Sequence, residues 1–401
     1  MPLTAPKFAP ELSAAPPLPA REEYLERQQR TRAALAEAGL DGLLAFGSHG
    51  WPWAVRWLAD YQSGFSGSSI HDEKGYAAVV LPVEGEPIVV IDQRGLPGEL
   101  AVDDARTFES VIEGTAGALR DSGLLGKRIG IAGEGAMLDR HRRGIEAALG
   151  AELPLVPADA IVEPLARVKS PVELDCLRYS NAVGSAWMKA MMEAVEPGLT
   201  EADLVLAGLP VLLRGGGFPA DVVAGSGNPA KPQAPRGIPS FNCERKLAVG
   251  ELLRLDCLGP VRSYGCDMAR STCVAATPTE AQHTVLEQAI EFVETLIAAV
   301  KPGVTHEEVH DVGTAWMVER GYPPHAYFEG FWHAFGHQMG LTTEGPHISP
   351  GETDPIVAGQ VLALEIVVGT PETGGISHEE VIIVHKDENE VITASCPQRW
   401  W

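Results

Sequence analysis

Cysteine is scarce, with six in 401 residues, at positions 176, 243, 257, 266, 273 and 396. So few thiols in so long a chain cannot form a disulfide framework, and no second pair has the spacing of a cysteine-held zinc site. Basic residues are also short: 31 Lys and Arg face 54 Asp and Glu, a formal net charge of −23. That balance argues against a nucleic-acid or anionic-membrane surface. The acidic residues are dispersed, which fits a solvated exterior that aids solubility. No apolar run approaches eighteen residues, and the opening MPLTAPKFAPELSAAPPLPAR lacks a basic-then-apolar secretory pattern. A soluble, cytoplasmic chain with neither nucleic acid nor membrane as partner is therefore expected. No glycine-rich phosphate loop follows a strand in the first 150 residues.

What is present is ample core material, 45% hydrophobic, in a length that favours two domains. Residues 1–20, rich in Pro and Ala, read as an extended arm. Over 21–163 helical periodicity (22–38) and short strand-like runs (41–46, 75–82, 86–92, 127–132) alternate, predicting an α/β domain around a central sheet. Between them Gly50–Gln62 carries three tryptophans, more suited to packing than to chemistry. Pro154, Pro157 and Pro164 mark the passage to a second domain, 164–401. Ser170-Pro171-Val172-Glu173 is a capping box with proline at the first helical position, opening a helix to about Val195.

The second domain repeats itself. Val195-Glu-Pro-Gly-Leu-Thr200 recurs as Val300-Lys-Pro-Gly-Val-Thr305, each copy closing one helix at Pro-Gly and capping the next with Thr200/Asp203 or Thr305/Glu308. Two α/β halves related by a pseudo-two-fold follow from this. Each half also ends in a ribbon bearing two acids. In 251–274 (ELLRLDCLGPVRSYGCDMARSTCV) a turn signalled by Gly259-Pro260 and a hairpin centred between Val261 and Arg262 would set Asp256 opposite Asp267, and Cys257 opposite Cys266 on the other face. In 361–384 (VLALEIVVGTPETGGISHEEVIIV) a turn centred on Glu372 pairs Glu365 with Glu379. Two like charges about 5 Å apart repel by about 3 kcal/mol at an effective dielectric near 20. A bound dication or a retained proton would relieve that.

Between the second repeat and the last ribbon lies 328–347 (FEGFWHAFGHQMGLTTEGPH). His333 and His337 stand four apart, but Gly336 and Gly340 favour strand or loop over helix, and one of the histidines can supply a nitrogen donor to the acids.

With those pieces in place, residues 165–385 resemble the pita-bread metallopeptidases, the family of methionine aminopeptidase, aminopeptidase P, prolidase and creatinase. The matching segments are 167–178 (RVKSPVELDCLR), 245–256 (RKLAVGELLRLD), 266–271 (CDMARS), 333–341 (HAFGHQMGL), Leu364-Glu365 and 374–381 (GGISHEEV). The first half more loosely resembles the creatinase/prolidase N-terminal domain. The resemblance implies an α/β N-terminal domain, an α+β pita-bread C-terminal domain, and two divalent ions (Mn, Co, Zn or Fe) held by Asp256, Asp267, His337, Glu365 and Glu379. It further implies that Asp267 and Glu379 bridge both ions, that a shared water is the nucleophile with Glu365 taking its proton, and that the protein is a homodimer. His333 matches a histidine that contacts substrate and is counted with Glu365 among the catalytic residues.

Three departures bear on substrate. The segment before RKL, 235–247 (PRGIPSFNCERKL), has no histidine, leaving Arg236 as a cation; 342–346 (TTEGP) keeps Glu344 but not its neighbouring histidine; and Ser377 stands where the family carries arginine. Trp332, within the aromatic FEGFW, would suit a cation or an apolar group beside the site. The expected activity is hydrolysis of Xaa-Pro dipeptides or short peptides. The alternatives are a small-molecule enzyme resembling dimethylsulfoniopropionate lyases or creatinase, and a binding homologue without catalysis.

Overall fold

The computed structural model describes residues 14–64, 74–92, 100–227, 239–322, 334–370 and 373–401. The chain divides into two compact units, Pro19–Ala166 and Arg167–Trp401, the latter joined by the arm up to Leu18. Arm residues Pro16 and Pro17 lend their carbonyls to Arg262 Nη1 (2.7 Å) and Cys176 Sγ (3.6 Å), both in the second unit.

The first unit contains α1 (Arg21–Glu37), β1 (Gly42–Ser48), α2 (Trp53–Ala59), β2 (Tyr76–Pro82), β3 (Ile88–Ile91), β4 (Asp104–Thr107), α3 (Val111–Asp121), β5 (Ile129–Ala132), α4 (Asp139–Leu149), β6 (Leu155–Pro157) and α5 (Asp159–Arg167, whose last residue begins the second unit). Its six strands form one sheet in the order β4-β3-β2-β1-β5-β6. β1 pairs antiparallel with β2 and parallel with β5, so the sheet is mixed. β1 and β2 are buried through almost their whole length, which explains their unbroken apolar runs LLAF and YAAVVL. The tryptophan-rich segment, read from sequence as packing without an assigned element, is the short helix α2, with Trp57 fully buried.

The second unit continues with α6 (Pro171–Glu193), α7 (Glu201–Arg214), β7 (Asp221–Ser226), β8 (Leu252–Val261), β9 (Tyr264–Cys273), α8 (Glu280–Ala299), α9 (His306–Glu319), β10 (Gly336–Met339), β11 (Thr343–His347), β12 (Val361–Thr370), β13 (Gly374–Ile383) and β14 (Glu390–Val391). Capping boxes start α6, α7 and α9 at Ser170, Thr200 and Thr305, and another starts α8 at Thr279. The repeat is structural as well as sequential. Gly198 N donates to Leu247 O at 2.9 Å, and its counterpart Gly303 N donates to Ile356 O at 2.8 Å. The two halves carry separate sheets, β7-β8-β9 and β11-β10-β12-β13-β14.

Each sheet turns one face to helices. Behind β8 and β9, Leu253, Leu255, Cys257, Cys266 and Met268 pack with Trp187 and Met188 of α6. Behind β12 and β13, Leu362, Leu364, Ile366, Ile376 and Ile382 pack with Phe292 of α8 and Trp316 of α9. Period-two alternation then assigns the odd-numbered residues of β12 and β13, and the even-numbered ones of β8, to the opposite faces. Those are the faces that carry the acids.

The register of the first ribbon differs from the expectation. Leu258 lies opposite Asp267 and Asp256 opposite Ala269, a shift of two residues. The tight turn is Arg262-Ser263, both at positive φ (46° and 88°), and Gly259-Pro260 lies inside β8. Gly259 is glycine for another reason: a Cβ there would come within 2.3 Å of Phe218 O. Because the shift is even, the aspartates keep a common face and sit diagonally rather than directly opposite. Cys257 and Cys266 likewise stay in the core but face Met268 and Gly259 instead of one another, and all six cysteines are free thiols. The second ribbon has the expected register, with Glu365 opposite Glu379. Among the described residues no helix is long and apolar enough to cross a membrane.

Candidate metal centre

His337 reaches the acids because β10 lies beside β12. His337 pairs with Ala363, whose same-face neighbour two residues on is Glu365. The close approach is permitted by Gly336, where a Cβ would meet Ala363 O at 2.1 Å. His337 Nδ1 lies 3.0 Å from Gln338 O. A carbonyl can only accept, so Nδ1 carries the proton and Nε2 presents its lone pair, 3.5 Å from Asp267 Oδ2. Burial lowers the His337 pKa to about 4, keeping the ring neutral.

Asp267, His337 and Glu379, all buried, each offer a ligand atom within 4.8 Å of the others. Asp256 and Glu365, partly exposed, stand on the same faces and act electrostatically on Asp267 and Glu379. Desolvation is the largest cause of every carboxylate shift here: it raises Asp256 to about 6 and Glu365 to about 8, and lifts Asp267 and Glu379 well above the ordinary carboxylate range. Mutual repulsion adds to it. Glu379 Oε1 is buried with no hydrogen-bond partner among the described residues. Carboxylates and one neutral imidazole converging with an unsatisfied oxygen form a donor set that fits a hard or borderline divalent cation.

Three residues beside this cluster carried no sequence expectation. Arg270 of β9, wholly buried, donates from Nη1 to Glu379 O at 2.6 Å and from Nη2 to Glu380 Oε1 at 2.7 Å, so it fixes the backbone that presents Glu379. Its signal in sequence is an arginine within an otherwise buried strand. Asp221 of β7 raises the Asp256 pKa further and accepts from Ser240 Oγ at 3.2 Å. Arg254 precedes Asp256 by two residues on the same strand face and is buried. The sheets themselves are stitched by Ser271, whose hydroxyl donates to Ser377 O and accepts from Ser377 N, each at 2.9 Å.

The other named candidates fare differently. Glu344 is held by Lys169 Nζ at 2.5 Å and accepts from Leu341 N at 3.0 Å, an ion pair that fixes its position. His333, Trp332 and Arg236 lie outside the described residues.

Known proteins with related sequences and folds bear on this arrangement. The probable dipeptidase PepE of Mycobacterium tuberculosis is 26% identical over 387 residues, covering 94% of this chain and 96% of its own. The solved PepE of Mycobacterium ulcerans superimposes with a TM-score of 0.76 at 24% identity, covering 94% of this chain and 97% of that one. An Xaa-Pro dipeptidase from Bacillus anthracis gives 0.75 at 22%, covering 94% and 99%. These likenesses show the pita-bread fold with its N-terminal α/β domain. The profile of metallopeptidase family M24 matches residues 175–386, more than half the chain, from the first turns of α6 to beyond β13 and including every strand that builds the cluster, so the chain belongs to that family.

Proposed function

We propose that this metallopeptidase-family protein hydrolyses Xaa-Pro dipeptides or short peptides at a dinuclear metal centre. The observation that carries the reading is the convergence of Asp267, His337 and Glu379, with Asp256 and Glu365 on the same two sheet faces. In this reading Asp267 and Glu379 serve both ions, Asp256 completes one position, and His337 with Glu365 completes the other. The names of the related proteins, a probable dipeptidase and an Xaa-Pro dipeptidase, support a short-peptide substrate.

When bound, the cations would supply Lewis acidity to the attacked carbonyl and lower the pKa of the attacking water. The chain's own part is proton handling and rigidity. Glu365 is assigned the proton of the attacking water and its transfer to the leaving amine, a role it would take as the ionised carboxylate that a bound cation favours. His337 stays neutral and keeps its donor nitrogen available. Arg270 holds Glu379 in place from behind. His333 is assigned to substrate through the family resemblance, and Trp332 through its place in the aromatic FEGFW segment.

The test is turnover of a panel of Xaa-Pro dipeptides and longer Xaa-Pro peptides by protein loaded with Mn, Co, Zn or Fe. Cleavage that disappears in Asp267→Ala, a ligand loss, is expected. Turnover no greater than that of Asp267→Ala across the panel would overturn the reading.

A further inference from the structure

The carboxylate cluster contains a cation of its own. Arg254 is only 2% exposed, and its Nε and Nη1 have no hydrogen-bond partner among the described residues. A guanidinium carries five N–H donors, and burying them unpaired is costly, so such a group persists only where surrounding charge compensates it. The anions that act on it are Asp256, Glu365 and Glu201. Glu201 is already engaged, accepting from Ser226 Oγ and from Asn242 N at 2.6 Å each. The guanidinium charge is therefore compensated through space, Asp256 first, then Glu365 and Glu201, without a hydrogen bond to any of them among the described residues.

This makes the cluster lopsided. At one end Asp267, His337 and Glu379 converge to within 4.8 Å with no positive side chain among them. At the other end Asp256 shares its strand face with Arg254, since residues two apart on a strand point the same way. A cation arriving at the first end meets three donors, the charge of Arg270 behind Glu379 being neutralised by Glu380; one arriving beside Asp256 meets, with the shared Asp267 and Glu379, a further carboxylate whose same-face strand neighbour is a fixed positive charge.

We propose that Arg254 is a positioning residue, a resident counter-charge that holds Asp256 and Glu365 in the metal-free protein and makes the metal position served by Asp256 the weaker of the two. This rests on the dinuclear reading above. Arginine suits the task because its charge is permanent and its planar head is weakly hydrated, so it tolerates burial better than an ammonium.

The experiment is calorimetric titration of Mn²⁺ into metal-stripped wild-type protein, Arg254→Gln, Arg254→Met and Arg254→Lys, without substrate. Wild type is expected to bind in two steps. Removing the charge in either neutral variant should tighten the weaker step roughly tenfold or more, because a fixed positive charge on the strand face that carries Asp256 opposes a dication held there in a buried site. The tighter step should stay within about threefold, as should both steps of Arg254→Lys, which keeps the charge. A weaker step that is unchanged or further weakened in folded Arg254→Gln or Arg254→Met overturns the inference, and so does a tenfold tightening in Arg254→Lys. Wild-type protein with no second step overturns the dinuclear reading and the inference together. Two steps insensitive to Arg254 overturn the inference alone.

Discussion

Arg270 and Glu380 form an ion pair with almost no exposed side-chain surface, and the same guanidinium also holds the carbonyls of Glu379 and Pro397. Deleting one partner strands the other's charge in the interior. Arg270→Met should therefore cost about 3–5 kcal/mol, read by urea denaturation, with metal affinity falling alongside. A loss below about 1 kcal/mol would show that Glu380 finds other support. The carboxylates themselves make a pH prediction. The folded-state pKa of Glu365, about 8, lies above that of the unfolded chain, so the folded protein holds more protons and loses stability as pH rises toward 8. His337, lowered to about 4, works the other way, but only below about 6.5, where the unfolded ring begins to charge. Between pH 6.5 and 8 the metal-stripped protein should lose about 1–2 kcal/mol, and added Mn²⁺ should abolish the decline because the ligands bind deprotonated. Stability that is flat or rising over that interval in the chelated protein would contradict the burial of these acids.

The two acidic ribbons are the elements on which the centre rests, and they were legible in unequal measure. For β12 and β13 the symmetrical placement of Glu365 and Glu379 about Glu372 gave the register directly, as observed. For β8 and β9 the Gly-Pro pair pointed to a turn, yet Gly259 serves a close backbone approach and the bend falls on Arg262-Ser263, neither a residue that normally marks positive φ. The assignment of faces survived because the error was even. Ser263, at φ 88°, holds a conformation that glycine adopts freely, so Ser263→Gly should stabilise the second unit by about 1 kcal/mol, measurable as a raised Tm. A fall in Tm would mean that the turn gains more from the serine side chain than from relieved strain. Helix starts were plainer. Ser170 accepts Glu173 N at 3.2 Å and Glu173 returns a carboxylate to Ser170 N at 3.0 Å, a purely local exchange that four consecutive residues announce.

Across the whole molecule, the two compact units have separate cores: Leu44, Phe46, Val80 and Ile129 belong to the first, and the two clusters behind the acidic sheets to the second. All five proposed ligands fall in the second. Scanning calorimetry should then show two transitions, with Mn²⁺ raising only the one assigned to residues 167–401 by separate expression or proteolysis. A single transition, or an equal shift of both, would show that the units melt as one. The sequence by itself determined the capped helices, the internal repeat, the alternating strands and which acids share a ribbon, because each depends on neighbours within a few residues or on period-two geometry. Only the tertiary structure decided that His337 reaches Asp267, that Arg270 stands behind Glu379, that Arg254 Nε and Nη1 are buried without a hydrogen bond among the described residues and that Glu344 pairs with Lys169. Those relations join strands and helices far apart in the chain, and no local spacing encodes where two sheets meet.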